Sequence, residues 1–145
     1  IGFDEMFYAW KEGGAFMNKK SISVKNTTEL KDTLLATGFP YYDFERLPKY
    51  LNLLSDCFLK TRGVRRFGSA ATDLAYVACG RFDGFFEYGL NAWDVAAGAL
   101  IVQEAGGKVC DFKSGSDYIF GAEILAGSTA VFQNLEELVQ THMND

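Results

Sequence analysis

Apolar positions recur along the chain in two rhythms. Phe3 to Trp10 is dense in Phe, Tyr and Trp, Gly13-Gly14 interrupts it, and Ala15 to Met17 resumes the apolar run. That pattern predicts a β-hairpin. Asn18-Lys19-Lys20 reads as a second turn, and the alternation Ser21-Ile22-Ser23-Val24 as a further strand. Leu34 to Phe39 is a short apolar run ended by Pro40, which suggests another strand. The rhythm then lengthens: Leu47, Leu51, Leu54 and Phe58 are spaced by 4, 3 and 4 residues, one face of a helix that Tyr50 and Leu53 widen.

A basic stretch, Lys60 to Arg66, leads to Ser69, followed by Ala70, Ala71, Leu74, Ala75, Val77 and Ala78. This reads as a helix capped by Ser69 and stopped by Gly80. Asp83 to Tyr88 is an aromatic strand. A second small-residue helix, Val95 to Ala105, follows Trp93-Asp94 and closes at Gly106-Gly107, glycine being the residue of choice just past a helix end. Val109 to Phe112 and Ile124 to Ala126 read as strands, and Leu135, Leu138 and Val139 mark a C-terminal amphipathic helix. Hairpins come early and strand–helix alternation later. The class is α/β, or mixed α+β, in one compact unit over residues 1–145 with no repeat or linker.

Composition narrows the function. A chain of 145 residues and 16.1 kDa that is 48% hydrophobic has enough apolar side chain for a sizeable core. Its 15% aromatic content predicts a bulky one, and the cysteines, methionines and aromatics are all expected inside. The net charge of -5 argues against a nucleic-acid binder, whose phosphate contacts need a basic surface. The longest apolar run, Val95 to Val102, is far short of the about 20 residues that span a bilayer. Cys57, Cys79 and Cys110 form no CxxC pair and read as reduced thiols of a soluble, cytoplasmic protein. The opening Ile1-Gly2-Phe3 reads as the inside of a folded element, so further residues are expected upstream.

No phosphate-binding GxxxxGK[ST] loop, dinucleotide GxGxxG turn or HExxH metal helix occurs. The single histidine, His142, lies on a polar helix and reads as solvent-exposed, which disfavours a histidine relay. What remains are carboxylates and helix N-termini. Asp94 reads first as the N-cap of its helix and second as a ligand to a hard cation such as Mg²⁺. Gly68-Ser69-Ala70 offers exposed amides to a phosphate or hydroxyl, or is an ordinary cap. Glu87, seven residues before Asp94, could accept hydrogen bonds from a polyol; spacing alone reads it as a solvated edge residue. Lys60, Arg62, Arg65 and Arg66 could steer a phosphate or simply be solvated.

Longer motifs change these odds. Trp93-Asp94-Val95-Ala96-Ala97-Gly98, then Ile101 and Glu104-Ala105-Gly106-Gly107, resemble the WDxAAGxxIxxEAGG signature of the inositol monophosphatase family. Gly68-Ser69-Ala70-Ala71 resembles the family's GSAA turn, Phe85-Phe86-Glu87-Tyr88-Gly89 its "YE-G" strand, and Phe7 to Trp10 with Gly14 to Asn18 its hairpin. The resemblance implies the C-terminal half of a layered α-β-α-β-α sugar-phosphatase fold, with a mixed sheet and flanking helices. It implies that Asp94 is a Mg²⁺ ligand and that Glu87 binds an inositol hydroxyl. It implies that Gly68, Ser69 and Ala70 contact the substrate, Gly68 and Ala70 through the backbone. It further implies Mg²⁺-dependent hydrolysis of inositol 1-phosphate, inhibition by Li⁺ and a homodimer.

The family's DPIDGT signature, with its further metal ligands, has no counterpart here. The chain is therefore expected to be the C-terminal part of such a phosphatase, inactive alone, with open strand edges prone to self-association. Fructose 1,6-bisphosphate is the alternative substrate, and a non-catalytic module binding a polyol phosphate or a protein is the alternative role.

Overall fold

The computed structural model describes residues 3–144; the expectations placed on Ile1 and Gly2 lie outside them. Three strands come first: β1 (Phe7–Trp10), β2 (Gly14–Met17) and β3 (Lys20–Ile22) form an antiparallel meander. A short 3₁₀ turn, Leu30–Asp32, precedes β4 (Leu34–Thr37). Then follow α1 (Leu47–Lys60), β5 (Gly63–Arg65), α2 (Ala70–Ala78), β6 (Gly84–Tyr88), α3 (Ala92–Glu104), β7 (Lys108–Cys110), β8 (Glu123–Gly127) and α4 (Phe132–Met143).

The five later strands make a mixed sheet in the order β5-β4-β6-β8-β7, with β4 parallel to both β5 and β6, and β8 antiparallel to β6 and β7. Period-two alternation divides its side chains between two cores. Leu35, Phe86 and Leu125 join Tyr50 and Leu53 of α1 and Leu135 and Val139 of α4. Ala36, Phe85, Ile124 and Ala126 join Leu74 and Val77 of α2 and Val95 and Val102 of α3. Ala15 of β2 belongs to this second cluster, so the small sheet closes over α3. The layers run α1/α4, five-stranded sheet, α2/α3, three-stranded sheet, in keeping with the α/β class and the layered order expected. Burying both faces of the central sheet is what fixes the register, since a slip of one residue would exchange its two cores.

Several details differ from the sequence reading. On α1 the buried stripe is Tyr50, Leu53, Leu54 and Cys57, while Leu51 and Phe58 face outward. The helix turns toward the sheet through Tyr50, whose hydroxyl is held by the backbone of the β4 end. The aromatics are not all interior: Tyr8, Trp10 and Phe16 stack in a row on one face of the small sheet, with Trp10 53% exposed. Cross-strand pairing brings such rings together without needing a second layer. Cys79 is only half-buried. His142 is half-buried rather than exposed, because α4 packs on α1 and places its Nε2 2.9 Å from Oδ2 of Asp56. No helix among the described residues is long and apolar enough to cross a membrane.

Candidate functional site

α2, which follows the edge strand β5, and α3, which follows the central strand β6, begin close to one another. Ser69 caps α2, its Oγ accepting from the Thr72 amide at 3.4 Å. Gly68 before it takes a φ of +87°, a left-handed turn that glycine alone adopts freely, and this delivers the chain into the cap. At the other helix the cap is Asn91, not Asp94. Asp94 sits three residues further on and reaches back, Oδ2 accepting from the Asn91 amide at 3.0 Å. The motif's aspartate is thus the acidic partner of a capping box. Among the described residues nothing hydrogen-bonds its other oxygen.

Glu87 is no edge residue. It lies on β6, the central strand, and is 8% exposed. Its carboxyl lies against Gly38, just past β4: a Cβ there would stand 2.0 Å from the Glu87 Cδ. Gly38 is fixed in turn by Tyr50, whose hydroxyl donates to the Gly38 carbonyl at 2.5 Å, while Thr37 Oγ1 donates to the Phe86 carbonyl at 2.7 Å. The absent side chain at Gly38 is the room in which Glu87 sits.

These parts line one open cavity of about 300 Å³. Gly68, Ser69 and Ala70 form one wall, and Glu87, Asn91, Trp93 and Asp94 another. All five residues singled out from sequence therefore meet in one place, near the carboxyl ends of β4 and β6, where α/β sheets characteristically hold ligands. Sequence reasoning missed Tyr41 and Tyr42, which complete the mouth from the loop after β4. Of the basic stretch, Arg66 comes to the site: its guanidinium covers the rings of Phe39 and Tyr41, donates to the Tyr41 hydroxyl and lies over Gly68. Lys60 is taken up by Asp56 on its own helix.

One turn into α2 lies Asp73, fully buried, with neither carboxylate oxygen hydrogen-bonded. Its place on the apolar stripe Ala70, Asp73, Leu74, Val77 was the signal in the sequence that could have marked it. Burial pushes the Asp73 carboxyl up to about 6, with Arg66 opposing. Burial also pushes Glu87 up to about 7, reinforced by the charge of Asp73. Both folded values exceed the unfolded ones, so the stability they confer is full below about pH 4 and is lost as pH rises through about 6 to 7. The double variant Asp73→Asn/Glu87→Gln should accordingly gain on the wild type as pH rises from 5 to 8 in paired thermal melts. An identical pH slope in both proteins would refute this.

The Asp94 carboxylate is the oxygen donor that a hard ion prefers. Among the described residues, no three His, Cys, Asp or Glu side chains gather to hold one. Asp94 therefore stands without a cluster of such groups around it among the described residues.

The sequence profile of the inositol monophosphatase family matches residues 3–144. The chain belongs to this family. The family is in general metal-dependent and binds phosphate-bearing substrates. Within the family, the chain is 44% identical over 141 residues to the Nus factor SuhB of Pseudomonas aeruginosa, covering 96% of this chain and 52% of that protein. It is 42% identical over 137 residues to the inositol-1-monophosphatase of Mesorhizobium japonicum, covering 94% of this chain and 52% of that one. The solved extragenic suppressor protein suhB of Bartonella henselae superposes with a TM-score of 0.90 at 42% identity, over 95% of this chain and 53% of that one. The inositol monophosphatase of Anabaena superposes at 0.88 and 40% identity, over 97% and 56%. The chain thus spans about half the length of the family members it matches.

Proposed function

We propose that residues 1–145 form the C-terminal part of an inositol monophosphatase-like domain. In this reading the chain shapes the substrate pocket of a Mg²⁺-dependent phosphatase acting on polyol phosphates, inositol 1-phosphate first among them. The meeting of Gly68, Ser69, Ala70, Glu87 and Asp94 in one cavity is the observation that carries this reading. The amides at the start of α2 and the peptide units of Gly68 and Ala70 orient the ring and its phosphate, since helix N-termini favour anions and lone pairs. Glu87 engages a ring hydroxyl from the cavity floor, and the wall of Trp93 and Tyr41 bounds the ring. Asp94 offers an oxygen to a divalent cation, whose bound form supplies Lewis acidity toward a phosphoryl oxygen.

The test is phosphate release from inositol 1-phosphate at saturating Mg²⁺. The chain alone should be silent. The chain joined to the upstream half that its relatives carry should turn over, and Asp94→Asn should abolish that rate. The joined protein also permits the homodimer and Li⁺ sensitivity implied by the resemblance to be measured, and inositol 1-phosphate to be ranked against fructose 1,6-bisphosphate by kcat/KM. Turnover by the chain alone would move the whole metal site into residues 1–145 and sink the half-site reading.

A second reading is a module that binds a protein or nucleic-acid partner without hydrolysis. It is favoured by the name Nus factor carried by several relatives, and it runs against the absence of nucleic-acid binding expected from the charge. A folded, joined protein that never releases phosphate would favour it.

A further inference from the structure

At the amino end of β6, the opposite end from the cavity, two buried oxygens stand on neighbouring strands. Asp83 immediately precedes β6 and Ser128 immediately follows β8, and both are fully buried. Gly84 pairs with Gly127, so the next step outward sets Asp83 opposite Ser128, and the Ser128 amide donates to the Asp83 carbonyl at 2.9 Å. Residues directly opposite on antiparallel strands send their side chains to the same face of the sheet. Neither Oδ1 of Asp83 nor Oγ of Ser128 has a hydrogen-bond partner among the described residues. Buried polar oxygens are costly unless a donor or acceptor meets them.

The neighbouring groups define what fits there. Oδ2 of Asp83 already accepts from the Leu34 amide at 2.8 Å, and Nζ of Lys25 lies 3.6 Å from the same oxygen. The carboxylate thus has its counter-charge, and a second cation would be repelled by the Lys25 ammonium. At 3.6 Å the lysine forms an ion pair beyond hydrogen-bond reach, a spacing that a bridging molecule closes. Lys25 is carried here by the segment after β3, which crosses the ends of α2 and α3. The Val24 amide donates to the Ala105 carbonyl at 3.0 Å, and a Cβ on Gly80 would stand 3.5 Å from the Lys25 backbone nitrogen. Oδ1 of an ionised aspartate only accepts, an ammonium only donates, and a serine hydroxyl does both. A small neutral molecule that donates and accepts matches that set. About two to four polar partners are what hold a water inside a protein.

We propose that Asp83 Oδ1, Ser128 Oγ and Lys25 Nζ bind one integral water molecule. It donates to the carboxylate, accepts from the ammonium and shares a further hydrogen bond with the serine hydroxyl. The Ser128 carbonyl accepts from the Val131 amide at 3.3 Å, in the turn that opens α4. The water therefore ties the segment after β3, the start of β6 and the lead-in to α4, three stretches far apart in sequence. It does not depend on the function proposed above.

The experiment is ¹⁷O magnetic relaxation dispersion of the full chain in solution, wild type against Ser128→Val, with the amide spectrum of each recording the fold. The method counts water molecules held through many rotations of the protein and is blind to exchange of hydroxyl and ammonium protons. Valine fills the place of the hydroxyl with methyl groups that bind nothing, so the count should drop by about one. A folded Ser128→Val with the wild-type count would overturn the proposal. If that variant does not fold, a crystal structure of the wild-type chain decides. Density within hydrogen-bond distance of all three atoms supports the water, and a direct bond between Asp83 Oδ1 and Ser128 Oγ refutes it. Crystals grown with rubidium salts tell water from a cation: an anomalous peak at this place would make the occupant a monovalent cation and equally refute it.

Discussion

Asp83→Ala should lower the thermal midpoint of the chain by about 10 °C. Asp83 is fully buried just ahead of β6. Its Oδ2 accepts from the Leu34 amide at 2.8 Å and lies 3.6 Å from Nζ of Lys25. Its own amide donates to the Leu34 carbonyl at 2.8 Å, and its carbonyl accepts from the Ser128 amide at 2.9 Å. One residue therefore ties β4, β6 and the turn after β8, and its side chain supplies the bond that the start of β4 lacks. Alanine would leave the Leu34 amide without its acceptor, at about 1–3 kcal/mol, and would add a small cavity and an unpaired lysine. The sum is about 3 kcal/mol, and in a domain near 150 residues each kcal/mol moves the midpoint by about 2–4 °C. Asp83→Asn keeps an oxygen in place and should cost roughly a third as much. Melts of the three proteins by circular dichroism decide; an alanine variant within about 2 °C of wild type would show that the tie is dispensable.

Asp83 also illustrates what one dimension hides. In the sequence it stands at the head of an aromatic strand and looks like a turn residue, because the amide it serves is 49 residues away. The helices were legible for the opposite reason: the Ser69 cap, the Gly106 stop and the 3.6-residue apolar stripes act within a few residues of themselves. β5 escaped notice since Gly63-Val64-Arg65 is three residues inside a basic stretch, made a strand only by β4 beside it. Glu87 misled for the same cause. Its spacing reads as an edge, and only the crossover that puts β6 between β4 and β8 makes it central. The candidate site residues come from motifs, whereas what seats them beside one another lies in contacts such as Gly38 against Glu87 that no local pattern encodes.

That contact carries the second large effect. If the pocket takes a polyol as proposed above, Gly38→Val is expected to lower the affinity for it tenfold or more while leaving the protein folded. The backbone at Gly38 is not in the left-handed region, so another residue strains nothing there. The Cβ, however, would overlap the Glu87 carboxyl, with 2.0 Å to Cδ and to Oε1. The carboxyl is the movable end of its side chain, so it would swing away and the helices and sheet would stay. Tenfold in affinity corresponds to about 1.4 kcal/mol, within the range for losing one hydrogen bond to a positioned group. The informative measurement is a cycle of Gly38→Val, Glu87→Ala and the double variant, read as inositol 1-phosphate binding in the joined protein. Both single changes remove one contact by different routes, so the double variant should bind no worse than either alone. Additive losses would mean that valine blocks the cavity directly and that the Gly38 seat is not what places Glu87.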